Sequence, residues 1–143
     1  MKRFHYSLEK VLRLREYREQ EAKLELGRAT GALTALENRI SATARDRQDA
    51  AGARFSRDHG GPEITSYDNY ILRLEQETER LLQDAAQAEL VVEEKRALYL
   101  DASRDRKVLD KLKEKQQKEN RKKMLAEETK TLDDISGGKR AEK

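Results

Sequence analysis

Apolar residues recur every three or four positions along most of the chain, and this repeat is interrupted once, at Gly60-Gly61-Pro62. We call the positions reached by alternating steps of four and three residues the ladder. Nine of the fourteen ladder positions from Leu8 to Arg54 are apolar, as are eleven of the fourteen from Ile64 to Leu109. A repeat of about 3.5 residues is typical of helices that wind around each other as a left-handed coiled coil. One reversal between two such ladders predicts an all-α fold, a long antiparallel two-helix coiled-coil hairpin.

The sequence also sets approximate limits for the predicted helices. We expect helix one over about 7–56, a turn over about 57–62 and helix two over about 63–134, because glycine allows the reversal and proline fits a first helical turn. Helix two is the longer, so its C-terminal part should overhang helix one. We treat 1–135 as one helical hairpin and expect 136–143, which opens with Ser-Gly-Gly, to be a disordered tail.

The composition supports a narrow line of contact between two helices, which we call the seam, rather than a thick hydrophobic core. Charged residues make up 41% of the chain and hydrophobic residues 36%, which is too little apolar surface for a large globular interior. There are no cysteines, so disulfides and thiolate metal sites are excluded. The N-terminus lacks the apolar run of a secretory signal, and nowhere do eighteen apolar residues follow one another. These features favour a cytoplasmic protein.

Residues suited to catalysis are few and scattered. The two histidines, His5 and His59, lie at a terminus and at the predicted turn, so they make no metal site together. Gly60-Gly61-Pro62 lacks the Gly-Lys-Ser/Thr ending of a phosphate-binding loop. The many carboxylates lie beside Lys and Arg at helical spacing, as solvated ion pairs do. We therefore expect no enzymatic activity, no cofactor and no metal.

Basic residues concentrate in two segments that a hairpin would bring together. Residues 1–18 carry six Lys or Arg against two Glu, and residues 104–123 carry ten against four carboxylates. In a hairpin folded near residue 61, residue i lies opposite about 120 − i, so the two segments should form one basic tip. Such a tip could bind nucleic acid, anionic lipid or an acidic protein surface, or it could be solvated charge alone.

The first two of these partners fit the sequence less well than the third. Nucleic-acid binding is disfavoured because the zipper folds within one chain and aromatic residues do not interleave with the basic ones. Lipid could bind an amphipathic segment, although Leu8 and Leu12 are also seam residues. That segment consists of Phe4, Leu8, Val11, Leu12 and Leu14 with Lys2, Arg3, Lys10 and Arg13. We therefore favour an acidic protein socket.

A group of tyrosines follows the predicted turn. Tyr67, Ile71 and Leu74 lie on the ladder, whereas Tyr70 lies beside it. The simpler interpretation is packing against helix one. The alternative is an adhesive patch for a partner, since aromatic anchors on a rigid helix often dominate binding energy.

Several blocks of the chain resemble the FliJ family of flagellar type III export proteins. They are FHYSLEKVLRLRE at 4–16, EAKLELGRA at 21–29, YDNYILRL at 67–74, RKVLDKLKEK at 106–115 and LAEETKTLDDI at 125–135. The resemblance implies an antiparallel coiled coil similar to the central stalk of rotary ATPases. It also implies a cytoplasmic location at the inner face of the membrane at the flagellar base, with membrane association through partners.

The resemblance further implies three partners. They are the hexameric flagellar export ATPase, whose assembly and turnover the protein would promote, the cytoplasmic linker of the export gate membrane protein, and export chaperones. We assign the ATPase-ring contact to seven basic residues and the export-gate contact to four others. The basic residues are Arg13, Arg15, Arg18, Lys107, Lys111, Lys113 and Lys115; the gate residues are Tyr67, Tyr70, Ile71 and Leu74.

Other interpretations remain open from the residues themselves. One is a generic coiled-coil adaptor or a chaperone escort that affects no ATPase. Another is a basic rod that binds nucleic acid or anionic lipid with strong salt dependence. The turn could also open to give a domain-swapped dimer.

Overall fold

The chain forms a two-helix hairpin. The computed structural model describes residues 3–55 and 59–141, and in these ranges it contains two α-helices and no strand. Helix α1 spans Glu9–Arg54 and helix α2 spans Gly61–Ala141, with lengths of 46 and 81 residues. The predicted all-α hairpin with a longer second helix is therefore confirmed.

The helix ends differ from the predicted ones in instructive ways. A short turn precedes α1, because the Glu9 amide donates to the carbonyl of Tyr6 at 3.1 Å. At the other end, α2 continues to Ala141 and so includes 136–141, for which the sequence predicts a disordered tail; 142–143 lie outside the described residues. Adding a turn to an existing helix costs little, and a glycine opposes it by only about 1 kcal/mol.

The apolar ladder coincides with the buried side of both helices. Among the fourteen ladder positions from Leu8 to Arg54, all but Arg47 are buried or half-buried. All fourteen positions of α2, from Ile64 to Leu109, are buried or half-buried. These include three positions with polar or charged side chains, Thr78, Lys95 and Arg106. The seam between the helices therefore follows the repeat rather than the hydrophobicity of each residue.

Contacts divide the chain into two units, each made from a part of both helices. Unit 1 contains the residues up to Gln20 and those from Asp101 onwards, and unit 2 is Glu21–Leu100. Within unit 1, Glu9 pairs with Lys113, so the residues of α2 that follow extend past the first turn of α1. From residue 125 to residue 138 every described side chain is exposed.

Ion pairs record the antiparallel register within unit 2. As the residue number rises along α1, the number of its partner on α2 falls, as an antiparallel pair requires. Each of these exposed pairs contributes roughly 0–1 kcal/mol, so they select the register more than they stabilise it. The pairs are Arg39–Glu77 at 3.5 Å, Arg47–Glu75 at 2.7 Å and Arg54–Asp68 at 2.6 Å.

Neither helix, over the residues described, contains an apolar stretch that could cross a membrane.

Candidate partner-binding surfaces

A cluster of buried side chains in unit 1 involves the segment that precedes α1. Tyr6, Leu12 and Leu109 are almost fully buried, and Phe4, Leu8 and Leu112 pack against them. The Tyr6 hydroxyl donates a 3.1 Å hydrogen bond to the carbonyl oxygen of Leu109. A buried phenol with a satisfied hydroxyl combines apolar packing with a directional contact. The segment before α1 is therefore fixed onto α2.

A charged layer lies within the same unit. Arg106 occupies a seam position and is half-buried, and its Nε donates to a carboxylate oxygen of Glu19 at 2.6 Å. Its Nη1 donates to Asp110, one turn further along α2. The hydrogen bonds to Glu19 and then to Asp110 raise the pKa of the Arg106 guanidinium above its ordinary value. Arg106 therefore carries its charge into the seam with both hydrogen-bond partners supplied.

Three of the seven predicted ring-contact residues are engaged within the chain. The Arg15 guanidinium donates to the carbonyl oxygen of Asp105 at 2.7 Å. The Lys113 ammonium lies 2.9 Å from Glu9, and Arg13 lies 3.8 Å from the other oxygen of the same carboxylate. Arg15 and Lys113 are half-buried, whereas Arg13 is exposed. Arg15 and Lys113 thus join α1 to α2.

The other four predicted residues face solvent. Among the described residues, no carboxylate forms an ion pair with Arg18, Lys107, Lys111 or Lys115, and all four side chains are exposed. All seven predicted residues lie in unit 1. The structure therefore brings them into one unit but separates those that hold the hairpin from those that are free for a partner. We call these four residues the free cations.

The N-terminal lipid-binding segment considered from the sequence is not an exposed amphipathic face. Leu12 is buried, Phe4 and Leu8 are half-buried, and only Val11 and Leu14 are exposed. Three of the five apolar side chains of this segment, Phe4, Leu8 and Leu12, therefore pack in the cluster with Leu109.

Sequence reasoning missed the burial of Tyr6. It lies before the helix, outside the apolar ladder, so helical periodicity gives it no position. The available signal was the alternation of Phe4, Tyr6 and Leu8, which places large apolar side chains on one side of an extended segment.

The four predicted gate-contact residues differ in exposure. Leu74 is 6% exposed and lies in the seam, and Tyr67 and Ile71 are half-buried. Tyr70 is 41% exposed. The simpler interpretation, packing within the hairpin, therefore describes three of these side chains, and Tyr70 is the one whose side chain is accessible to a partner.

A small cleft adjoins Tyr70 in unit 2. His59 Nδ1 lies 2.6 Å from a carboxylate oxygen of Glu63, and its ring packs against Tyr67 with the centroids 5.0 Å apart. These contacts hold the start of α2 against the residues before it. The cleft has a volume of about 490 Å³ and is lined by His59, Glu63, Ser66, Tyr67, Tyr70 and Arg73.

Over the residues that the structure describes, no three His, Cys, Asp or Glu side chains gather as a metal site would require. Two long helices with charged outer faces and a single seam place the chain in the class of coiled-coil proteins. The family model described as "Flagellar FliJ protein" matches residues 4–140. The chain therefore belongs to the FliJ family and is a flagellar export-related protein. No curated protein and no solved structure matches it.

Proposed function

We propose that the protein is a stalk-like component of the flagellar export apparatus that binds the hexameric export ATPase through unit 1. In this proposal it promotes assembly and ATP turnover of the hexamer. It acts on the cytoplasmic side of the membrane and connects the ATPase to the export gate through unit 2. The observation that carries the first contact is the set of free cations, Arg18, Lys107, Lys111 and Lys115, all exposed in one unit.

The free cations are arranged on a preorganised support. Lys107, Lys111 and Lys115 succeed one another at four-residue intervals along α2, so they lie on neighbouring turns of one helix. The buried Tyr6 cluster and the Arg106 layer hold this part of α2 against α1. Because the support is already ordered, binding an acidic partner would cost little further conformational entropy. Clustered charge of one sign would also steer the partner during encounter.

In this proposal the seven basic residues have two different roles. Arg18, Lys107, Lys111 and Lys115 would contact the ring, with Arg13 at the edge of the surface. Arg15 and Lys113 would act by holding the two helices together, because their side chains already contact Asp105 and Glu9.

The gate contact would rest mainly on Tyr70. Its ring is accessible, whereas Leu74 lies in the seam and supports the helix that presents Tyr70. Tyr67 and Ile71 are half-buried and would contribute the edge of the contact. The adjoining cleft, lined by polar side chains and two tyrosine rings, offers a recess for a polar side chain of the gate linker.

The test is the ATP turnover of the cognate export ATPase at about one chain per hexamer. The protein concentrations should exceed the dissociation constant of the complex, so that most hexamers carry a chain. We expect the wild-type chain to stimulate turnover and a variant with Arg18→Glu, Lys107→Glu and Lys111→Glu to lose that stimulation. A matched variant with Lys23→Glu, Arg45→Glu and Arg80→Glu changes the net charge equally. Those three residues are exposed, belong to unit 2 and form no ion pair with a described residue, so stimulation should persist.

Two results would contradict the proposal in different ways. If the variant with three charge reversals in unit 1 still stimulates turnover at low salt, the free cations are not the residues that contact the ATPase. Absence of stimulation by the wild-type chain, with hexamer formation also unchanged, would leave an adaptor or chaperone-escort role. Circular dichroism of each variant would establish that the hairpin is still helical.

A further inference from the structure

One outward face of α2 in unit 1 carries an uninterrupted row of lysines. Positions 111, 115, 118 and 122 alternate steps of four and three, so their side chains lie on one face of the helix. The seam positions Arg106 and Leu109 belong to a different phase of the same repeat, and the row lies on the side of α2 that faces away from the seam. We call Lys111, Lys115, Lys118 and Lys122 the lysine row.

The lysine row is exposed, and its four lysines form no ion pair within the described part of the chain. All four side chains are solvent-accessible, and none forms an ion pair with a carboxylate among the described residues. Glu114 and Glu119 lie beside the row along a shallow groove, yet neither makes an ion pair with it. Four like charges along about 16 Å of helix repel one another, so a surface that supplies negative charge would stabilise them.

Apolar side chains extend the same row at both ends. Val108 precedes Lys111 by three positions and Leu125 follows Lys122 by three, so both continue the alternation. They are 62% and 63% exposed. On a membrane surface the long stems of lysine can reach the headgroups, and exposed apolar side chains beside them can enter the interface.

From this arrangement we infer that the lysine row binds directly to an anionic membrane surface. The row lies on one uninterrupted helix, so its four ammonium groups can meet a planar layer of lipid phosphates together. Each Lys near an anionic leaflet contributes attraction that is screened within a Debye length of about 10 Å at 0.1 M salt. Val108 and Leu125 add apolar contact to this electrostatic attraction.

A membrane fits the row better than nucleic acid does. The row contains lysine alone, a hydrated point charge, without the arginine or aromatic side chains that read or stack on bases. The exposed apolar residues at its ends have no partner on a phosphate backbone. The row is also distinct from the N-terminal apolar segment, which is packed against α2.

This inference goes beyond the proposed binding of the ATPase. Lys111 and Lys115 belong to both surfaces, whereas Lys118 and Lys122 belong to the lysine row alone. Binding to vesicles is measured with the full chain and no ATPase, so failure of one proposal leaves the other standing.

The test is co-sedimentation with vesicles of phosphatidylcholine and phosphatidylglycerol at a ratio of roughly 7:3, against vesicles of phosphatidylcholine alone. We expect binding to the anionic vesicles only, and its loss at high salt. Replacing all four lysines of the row with glutamine should lower the partition coefficient by roughly tenfold or more. A matched variant with Lys23→Gln, Arg45→Gln, Arg73→Gln and Arg80→Gln removes the same charge from exposed sites of unit 2 and should bind within about twofold of wild type.

A second variant, Val108→Ser with Leu125→Ser, keeps every charge and should weaken vesicle binding several-fold while retaining its salt dependence. Because both residues are exposed, the helix should be unaffected, as circular dichroism would establish. Equal loss in the matched unit 2 variant, or equal binding to neutral vesicles, would overturn the inference. So would an oligonucleotide that competes at equal phosphate concentration together with no effect of the apolar substitutions, since this would identify nucleic acid as the ligand.

Discussion

The Tyr6 hydroxyl donates its hydrogen bond to the main-chain carbonyl of Leu109, a residue 103 positions further along the chain. Both side chains are buried, and Leu12 completes the contact from the first turns of α1. A single side chain in a non-helical segment therefore joins α1 and α2 through apolar contact and a hydrogen bond. Within unit 1 a second side chain-to-backbone hydrogen bond, from Arg15 to the carbonyl oxygen of Asp105, also joins the two helices.

Removing the hydrogen bond alone should have a modest effect on stability. Tyr6→Phe keeps the ring and leaves the Leu109 carbonyl in its helical bond, so we expect a loss of about 1 kcal/mol in the free energy of unfolding. Tyr6→Ala also creates a cavity and should cost about 3 kcal/mol. Urea denaturation followed by circular dichroism measures both. Tyr70→Phe is the control and should change stability little, because Tyr70 is exposed; equal effects at the two positions would contradict the assigned role of Tyr6.

The Arg106 layer should contribute measurable coupling between the helices. Arg106→Gln removes the charge that faces Glu19 and Asp110, and we expect a loss of about 1 kcal/mol, since the pair is only half-buried. A double-mutant cycle with Glu19→Gln isolates the interhelical part. Arg104→Gln is the matched control, because Arg104 is exposed and its contact with Asp101 is long, at 3.8 Å.

The pH dependence of this layer follows from the sign of the shift. The folded-state pKa of Arg106 is raised, so its contribution is fully present at neutral pH and is lost only as the pH rises through that raised pKa. Coupling energies measured at neutral and at mildly alkaline pH should therefore agree. A coupling that disappears well below the ordinary pKa of arginine would mean that another group controls it.

Two adjacent leucines give a direct test of the seam. Leu81 is 3% exposed and Leu82 is 53% exposed, although the two side chains are identical. Leu81→Ala should lower the free energy of unfolding by about 2–3 kcal/mol, whereas Leu82→Ala should lower it by less than about 0.5 kcal/mol. Thermal and urea unfolding of the pair would check this. Similar losses for the two variants would show that the helices meet in a different phase.

Glycines inside α1 should lower the stability of this helix. A Cβ at Gly27 or Gly31 would meet no atom within 4 Å, and both glycines lie inside α1. Each Gly→Ala substitution should therefore raise the free energy of unfolding by about 0.5–1 kcal/mol. Gly137→Ala, near the end of α2, is the control and should have a smaller effect because helix ends fray. If Gly27→Ala destabilised the chain, the open space around it would need another explanation.

The proposed gate contact makes a prediction about a single tyrosine. Tyr70→Ala should weaken binding of a gate-linker peptide by roughly tenfold, as loss of an aromatic anchor does, with little change in stability. Asn69→Ala, an exposed neighbour on the same turn, should leave affinity unchanged. Calorimetry of the peptide with each variant measures this. Equal affinity of the Tyr70 variant and the wild type would remove this residue from the contact.

The fold was largely predictable because the repeat determines which side of each helix is buried. The ladder even places Thr78 and Lys95 on the half-buried side, although neither residue is apolar. The end of α2 was not predictable in the same way. Ser136, Gly137 and Gly138 disfavour a helix locally, yet none of them blocks its continuation, and α2 runs through all three.

The candidate surface was predictable only as a group of charges. The hairpin rule brings the basic segments together, but it does not say which cations find a partner inside the chain. Arg15 donates a hydrogen bond to the Asp105 carbonyl and Lys113 forms an ion pair with Glu9. Lys111 and Lys115 form no ion pair with a described residue. Arg15 lies on the ladder and Lys113 follows Leu109 by four positions, so the repeat places both near the seam; it does not say which carbonyl or carboxylate each side chain will contact. Tyr6 escaped prediction because it has no place in a helical repeat.

The bond between Tyr6 and Leu109 also has a consequence for the order of events during synthesis. The chain leaves the ribosome N-terminus first, so the residues around Tyr6 emerge long before the carbonyl that accepts their hydrogen bond has been made. Until α2 has been synthesised, no second helix covers the apolar ladder of α1. Contacts of such sequence separation close slowly. During synthesis the apolar face of α1 is therefore exposed to solvent for a time, and the first residues of the chain are among the last to reach their packed positions.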